Sequence, residues 1–277
     1  MPKPLTQTPK GRRSFFRINL EITPQMIVIL GPTACGKTKL AAQLAHRIGG
    51  EIISADSRQV YRRMDIGTGK DLADYVVDGQ SVPYHLIDIA EPGERYNAYR
   101  FQQDFLQAYE GITAERHRPA ILCGGTGLYI ESVVKGYGFN TGDAPRQGAL
   151  QLPEAHIFGI NIPRDLRRQR ITERLHQRLS EGMVEEVQGL LNEGVPVERL
   201  LAYGLEYGYI TRYLTGQMPY DTMVERLEIA IHQFAKRQMT WFRGMEERRG
   251  IPIHWLDYAL PNEEKIKEIV KLTMGPL

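Results

Sequence analysis

The strongest constraint in this sequence is an eight-residue run near its beginning, Gly31-Pro32-Thr33-Ala34-Cys35-Gly36-Lys37-Thr38, which satisfies G-x-x-x-x-G-K-[ST]. The apolar segment Met26–Leu30 precedes it, and a helix-compatible stretch from Lys37 to Ile48 follows. Glycines let the backbone curl until successive N–H groups face one anion, and the start of a helix adds its partial positive charge. Lys37 brings a full charge, and Thr38 offers a hydroxyl suited to Mg²⁺. In this strand-to-helix context the run reads as a phosphate site; the alternative is a chance match in a Gly-bearing turn.

Four further short runs read as strands: Glu51 to Ala55, His85 to Ile89, Ala120 to Cys123 and His156 to Ile162. They are rich in Ile, Leu and Val without clean alternation, as expected of strands buried on both faces of a parallel sheet. A helical stretch spans Asn97 to Arg116, with Phe101, Phe105, Leu106, Tyr109 and Ile112 at helical spacing. The β-α-β order predicts an α/β fold: a parallel sheet flanked by helices, like that of P-loop NTPases. After Pro163, Leu166, Ile171, Leu175, Leu179, Met183 and Val187 predict one long amphipathic helix. Arg167, Arg170, Arg174 and Arg178 follow the same period and form a stripe along another face. A second long helix is expected from about Thr222 to Arg248. The chain thus divides into a basic extension (1–25), an α/β core (26–163) and a mainly helical part (164–277), with an irregular Gly- and Pro-rich connection over 136–155.

At 277 residues with 42% hydrophobic and 25% charged residues, the chain suits one large domain, or a core with an appendage, and is not disordered. No run approaches the roughly 18–20 apolar residues of a membrane helix. Residues 1–17 lack the apolar centre of a secretory signal. Cys35 and Cys123 cannot staple a framework, which favours a reducing compartment. The expectation is a cytoplasmic monomer with no membrane contact. The net charge of +2 conceals segregation: residues 1–25 carry +4, 164–178 carry +4 and 236–249 carry +3. Segregated charge reads either as solvated helix faces or as a surface directed at a polyanion.

The segment after Ala120–Cys123 is Gly124-Gly125-Thr126-Gly127, without the carboxylate that ATPases place on such a strand. Asp88 could supply that acid or be a structural residue. The glycines would let a substrate approach the sheet closely, with Thr126 offering a hydroxyl. Asp56, following the second strand, stands at the same edge as the P-loop; it serves as a base there or merely caps the next turn. Ser57 and Gln59 beside it could hydrogen-bond a planar polar substrate.

Taken together, GPTACGKT (31–38), ADSRQVYRRMDIGTGK (55–70), YHLIDI (84–89), GGTGLY (124–129) and KRQMTWFR (236–243) resemble the tRNA dimethylallyltransferase family, in the family's order and over most of the chain. The resemblance implies transfer of a five-carbon group from dimethylallyl diphosphate to N6 of an adenosine at position 37, in the tRNA anticodon stem-loop. It implies that the P-loop (Gly31, Pro32, Thr33, Ala34, Cys35, Gly36, Lys37, Thr38) holds the donor diphosphate with Mg²⁺ on Thr38, and that Arg237 is a second cation there. Asp56 would accept the N6 proton, and Thr126 and Lys37 would support the transition state. Asp56, Ser57, Arg58 and Gln59 would meet the acceptor base, and Arg167, Gln169, Arg170 and Arg174 the RNA. The sequence departs from the family in three places: the long helical insertion after GGTGLY is missing, Tyr203-Gly204-Leu205-Glu206 alters a downstream Gly-Tyr pair, and Cys35 stands where serine is commoner. Rival readings are an enzyme acting on free adenosine nucleotides, a P-loop small-molecule kinase, and an RNA-binding protein without catalysis.

Overall fold

The computed structural model describes residues 26–138 and 154–275. Strand β1 (Met26–Leu30) is buried along its whole length. Alternate side chains of a strand point to opposite faces, so Met26, Val28 and Leu30 enter one core with Phe101 and Phe105. Ile27 and Ile29 enter another with Leu40 and Leu44. That two-sided burial is why its sequence does not alternate.

Around β1 lie β2 (Glu51–Ala55), β5 (Tyr84–His85), β6 (Ala120–Gly124), β7 (Ala155–Asn161) and β8 (His254–Asp257), in the order β5-β2-β6-β1-β7-β8. Every neighbouring pair is parallel. A small antiparallel hairpin, β3 (Val76–Val77) with β4 (Gln80–Ser81), stands apart. Helices α1 (Lys37–Ile48), α2 (Ala98–Glu110) and α3 (Gly127–Val134) connect the strands. The carboxyl-terminal part adds α4 (Arg164–Ser180), α5 (Met183–Asn192), α6 (Val197–Tyr203), α7 (Leu205–Leu214), α8 (Tyr220–Glu247) and α9 (Asn262–Met274). Helix α8 belongs to two cores: Leu227 and Ile231 pack with Leu175, Met183 and Tyr207, while Met239, Phe242 and Met245 pack under the sheet.

Two expectations need correction and a third is borne out with a local variation. The strand predicted over His85–Ile89 ends after His85, because Leu86 and Asp88 take left-handed φ values of 63° and 57°. The buried Lys70 ammonium draws the chain out of line there, pairing with the Asp88 and Asp65 carboxylates and the Tyr61 carbonyl. The single helix predicted over Leu166–Val187 is two, broken at Gly182, whose φ of 100° no helix accommodates. The helix expected over Asn97–Arg116 is regular to Glu110, with the Asn97 side chain accepting from the Arg100 amide at its start, and widens into a looser turn from Gly111 to Glu115. The extension 1–25 and most of the 136–155 connection lie outside the described residues.

Candidate active site at the carboxyl edge of the sheet

Strands β1, β2 and β6 end side by side, so the P-loop, Asp56 and the Gly124–Thr126 turn emerge along one edge. The P-loop turns through Ala34 (φ 62°) and Gly36 (φ 80°), and the left-handed Gly36 caps α1. Lys37 Nζ lies 3.4 Å from the Pro32 carbonyl, folded back over the loop. The loop is anchored from outside by Gln238 of α8. Its Oε1 accepts from the Thr33 amide at 2.9 Å, and its Nε2 donates to the Gly125 carbonyl at 2.9 Å. One buried amide thereby fixes the distance between the P-loop and the opposing glycine turn.

On the other side, Gly124 pairs with Ala55, and any Cβ at 124 would run into the Ala55 backbone. That close approach lets the Thr126 amide donate to the Ala55 carbonyl at 3.1 Å, while Thr126 Oγ1 accepts from the Ser57 amide at 3.0 Å. The half-buried Asp56 sits between these walls and lines the same cleft as Lys37 and Thr38. Its Oδ1 accepts from the Arg58 amide at 3.0 Å. Its Oδ2 has no hydrogen-bond partner among the described residues. The turn-capping and cleft-facing roles therefore coexist in one carboxylate.

The neighbouring residues are more internally engaged than the sequence suggests. Arg58 is half-buried against the buried Glu206 carboxylate and lies over the Phe234 ring, 5.6 Å from its centroid. Burial alone would lower its pKa, but the Glu206 and Asp56 charges more than offset this and raise it. Gln59 donates to the Gly69 carbonyl at 3.0 Å and accepts from Ser54 Oγ at 3.3 Å, which holds the Gly67–Lys70 loop against β2. Asp88, paired with Lys70, is a structural residue.

The cleft, about 480 Å³, is closed by α4. The arginine stripe runs from the exposed Arg170 through the half-buried Arg174 to the buried Arg178. Arg170, Arg174 and Arg178 all line this cleft, because Ile171 and Leu175 bury the adjoining face and roll the arginines toward the P-loop. Arg170 bonds to the Tyr258 hydroxyl, and Arg174 pairs with Asp71. Arg167 is half-buried, and burial together with the charges of Arg164 and Arg243 lowers its pKa. Gln169 donates to Glu173 on the exposed surface. Arg237 is not in the cleft either. One residue before Gln238, its side chain is rotated about 100° around α8, into a separate groove with Lys236, Trp241, Arg248 and Arg249. Gln238 went unrecognised among the candidates; its signal was its place within KRQMTWFR.

Among the described residues no three His, Cys, Asp or Glu side chains converge to hold a metal. An ion carried on a phosphate needs fewer protein ligands, since Mg²⁺ keeps several waters and takes phosphate oxygens. The half-exposed Thr38 hydroxyl at the start of α1 suits such an ion. No helix among the described residues is long and apolar enough to cross a membrane.

Comparison with known proteins accords with this geometry. The IPP transferase family model matches residues 59–152 and 138–245, and the isopentenyl transferase model matches 24–87. tRNA dimethylallyltransferase 1 of Porphyromonas gingivalis is 50% identical over 301 residues, covering 89% of this chain and 98% of that protein. tRNA dimethylallyltransferase 2 of Phocaeicola vulgatus is 50% identical over 299 residues, covering 89% and 97%. The crystal structure of a tRNA isopentenylpyrophosphate transferase from Staphylococcus epidermidis superposes with a TM-score of 0.76 at 27% identity, covering 90% of this chain and 98% of that one. The Porphyromonas alignment is longer than this whole chain yet takes in only part of it, so the relative carries residues with no counterpart here. The two stretches matched by the family model overlap on 138–152, where the missing insertion was expected. The chain belongs to the IPP transferase family, the family of the tRNA dimethylallyltransferases.

Proposed function

We propose that the protein transfers a dimethylallyl group from dimethylallyl diphosphate to N6 of adenosine 37, beside the anticodon of tRNA. The observation that carries the mechanism is the Asp56 Oδ2, without a partner among the described residues and held in one cleft with the Lys37–Thr38 phosphate loop. An adenine amine is a weak nucleophile because its lone pair is delocalised into the ring. Its attack on an allylic carbon needs a proton acceptor, a stabilised leaving group and alignment. Asp56 takes the N6 proton as the N6–carbon bond forms. The carbon–oxygen bond to the diphosphate breaks, and the electron pair leaves with the diphosphate. Lys37, the loop amides and Arg174 stabilise the charge that grows there. Thr38 would hold Mg²⁺, which would supply charge neutralisation to the diphosphate. Thr126, fixed by the Ser57 amide, lies beside the Asp56 segment, where the flipped base enters. Gln59 and Arg58 shape that entrance through the Gly69 loop and Glu206 rather than through free polar groups.

The missing insertion favours one competing acceptor, a free adenosine nucleotide. The test is to incubate the protein with labelled dimethylallyl diphosphate and, separately, tRNA, AMP and ATP. Label at A37 of tRNA is expected. Efficient labelling of AMP, with tRNA neither modified nor competing, would overturn the tRNA assignment.

A further inference from the structure

Arg178, on the fourth turn of α4, is buried to 9% exposure. Its cationic neighbours have acidic partners, Arg58 in Glu206 and Arg174 in Asp71. Arg178 has no carboxylate within ion-pair distance and no hydrogen-bond acceptor among the described residues. An unpaired cation largely withdrawn from water is unfavourable unless something else compensates it. Burial first, and the Arg174 charge second, push its pKa down to about 10, which still leaves it charged at neutral pH.

Its placement points to what compensates it. Arg178 lines the active-site cleft, and also a small void where α4 meets the Thr33–Ala34 limb of the P-loop. Room for it is made at Gly69 (φ 68°), where any side chain would run into the guanidinium groups of Arg178 and Arg174. A buried residue needed only for packing in the core of Ile171, Leu175 and Met183 would be apolar. Two adjacent guanidiniums, one of them unpaired, match a multiply charged anion lying between them and Lys37.

We infer that Arg178 binds the diphosphate, both on the donor and as the released product, from the wall opposite the P-loop. The inference rests on the donor proposed above. It adds a second residue of α4, beside Arg174, to the phosphate site, and gives a largely buried charge a partner when ligand is bound.

The test is to titrate inorganic diphosphate with Mg²⁺ into the wild type, Arg178→Met, Arg178→Lys and Lys37→Ala by calorimetry, and to measure the donor KM and the tRNA Kd in parallel. Arg178→Met is expected to weaken diphosphate binding roughly ten- to a hundredfold, the range of one charge-assisted contact, and to raise the donor KM in step. The tRNA Kd should hold, and Arg178→Lys should recover part of the loss. The ligand-free Tm of Arg178→Met should be no lower than that of the wild type. Wild-type diphosphate affinity in Arg178→Met overturns the inference. A loss confined to tRNA binding also overturns it, making Arg178 an RNA phosphate contact. So does a lowered ligand-free Tm with no recovery in Arg178→Lys, which marks a packing residue. Failure of the donor assignment looks different: the wild type itself then fails to bind diphosphate, and Lys37→Ala changes nothing.

Discussion

Gln238 offers a quantitative test of how the site is assembled. It is 7% exposed, and its amide satisfies one backbone donor and one backbone acceptor on opposite walls of the cleft. Gln238→Met keeps most of the volume and removes both hydrogen bonds. Each buried polar group left without a partner costs about 1–3 kcal/mol. Because the P-loop borders an open cleft, water can reach part of the Thr33 amide, which places the total nearer about 2–4 kcal/mol. Gln238→Glu should be harsher. It preserves an acceptor for Thr33 but sets a carboxylate against the Gly125 carbonyl, close to where a diphosphate binds. Urea unfolding with an unchanged m-value should show the stability loss for both variants. The donor KM at saturating tRNA should rise in the order wild type, Met, Glu. A Gln238→Met variant with the wild-type midpoint and KM would refute the idea that this amide spaces the two walls.

Other consequences are more direct. Asp56→Asn should bind donor and tRNA yet lose most turnover, because an amide cannot accept the N6 proton; wild-type rates across about pH 6–9 would reduce Asp56 to a turn cap. Lys37→Ala should cost about 2–4 kcal/mol in kcat/KM for the donor, and unchanged transfer would remove the phosphate site from the P-loop. Arg174→Ala should raise the donor KM while the salt dependence of tRNA binding stays close to wild type. A slope flattened by about one charge would return Arg174 to the RNA. Glu51, distant from the cleft, is buried among Arg116, Arg118 and His85. Burial pushes its pKa up, but hydrogen bonds from Arg116 and His85 more than offset this and leave it depressed below 4.5. Its stabilisation is therefore complete above that pH and is lost as pH falls through the folded value. Glu51→Gln should lower Tm at pH 7 and flatten the acid limb of stability; parallel acid limbs in the two proteins would contradict this.

The phosphate loop was legible because glycine spacing, an apolar strand and a helix start are all local. Asp56 and Thr126 could be placed for a related reason: a parallel sheet sends every strand end to one edge. What resisted reading was set by distant contacts. The apolar run at Leu86–Ile89 looks like a strand until Lys70, buried among carboxylates and a carbonyl, bends it. The apolar period passes through Gly182 because α4 and α5 feed the same core, so the period survives a break that the glycine itself announces. Periodicity placed the arginines on one stripe of α4 but could not say that its carboxyl-terminal end, at Arg174 and Arg178, turns into the cleft. Arg237 and Gln238 are adjacent letters, and only the rotation of α8 against the sheet decides which of them reaches the P-loop.

The Gln238 clamp also bears on how the chain matures. Thr33 and Gln238 are 205 positions apart, so a chain emerging from the ribosome presents its phosphate loop long before the residue that braces it. Long-range closure of this kind is slow relative to helix formation, and the sheet itself waits for β8, which pairs with β7 only after α8 has been made. A nascent chain stalled before α8 should carry a folded α1 and an unbraced loop with little hold on diphosphate. Donor affinity would then arise late and in one step, so that incomplete chains do not compete for the isoprenoid.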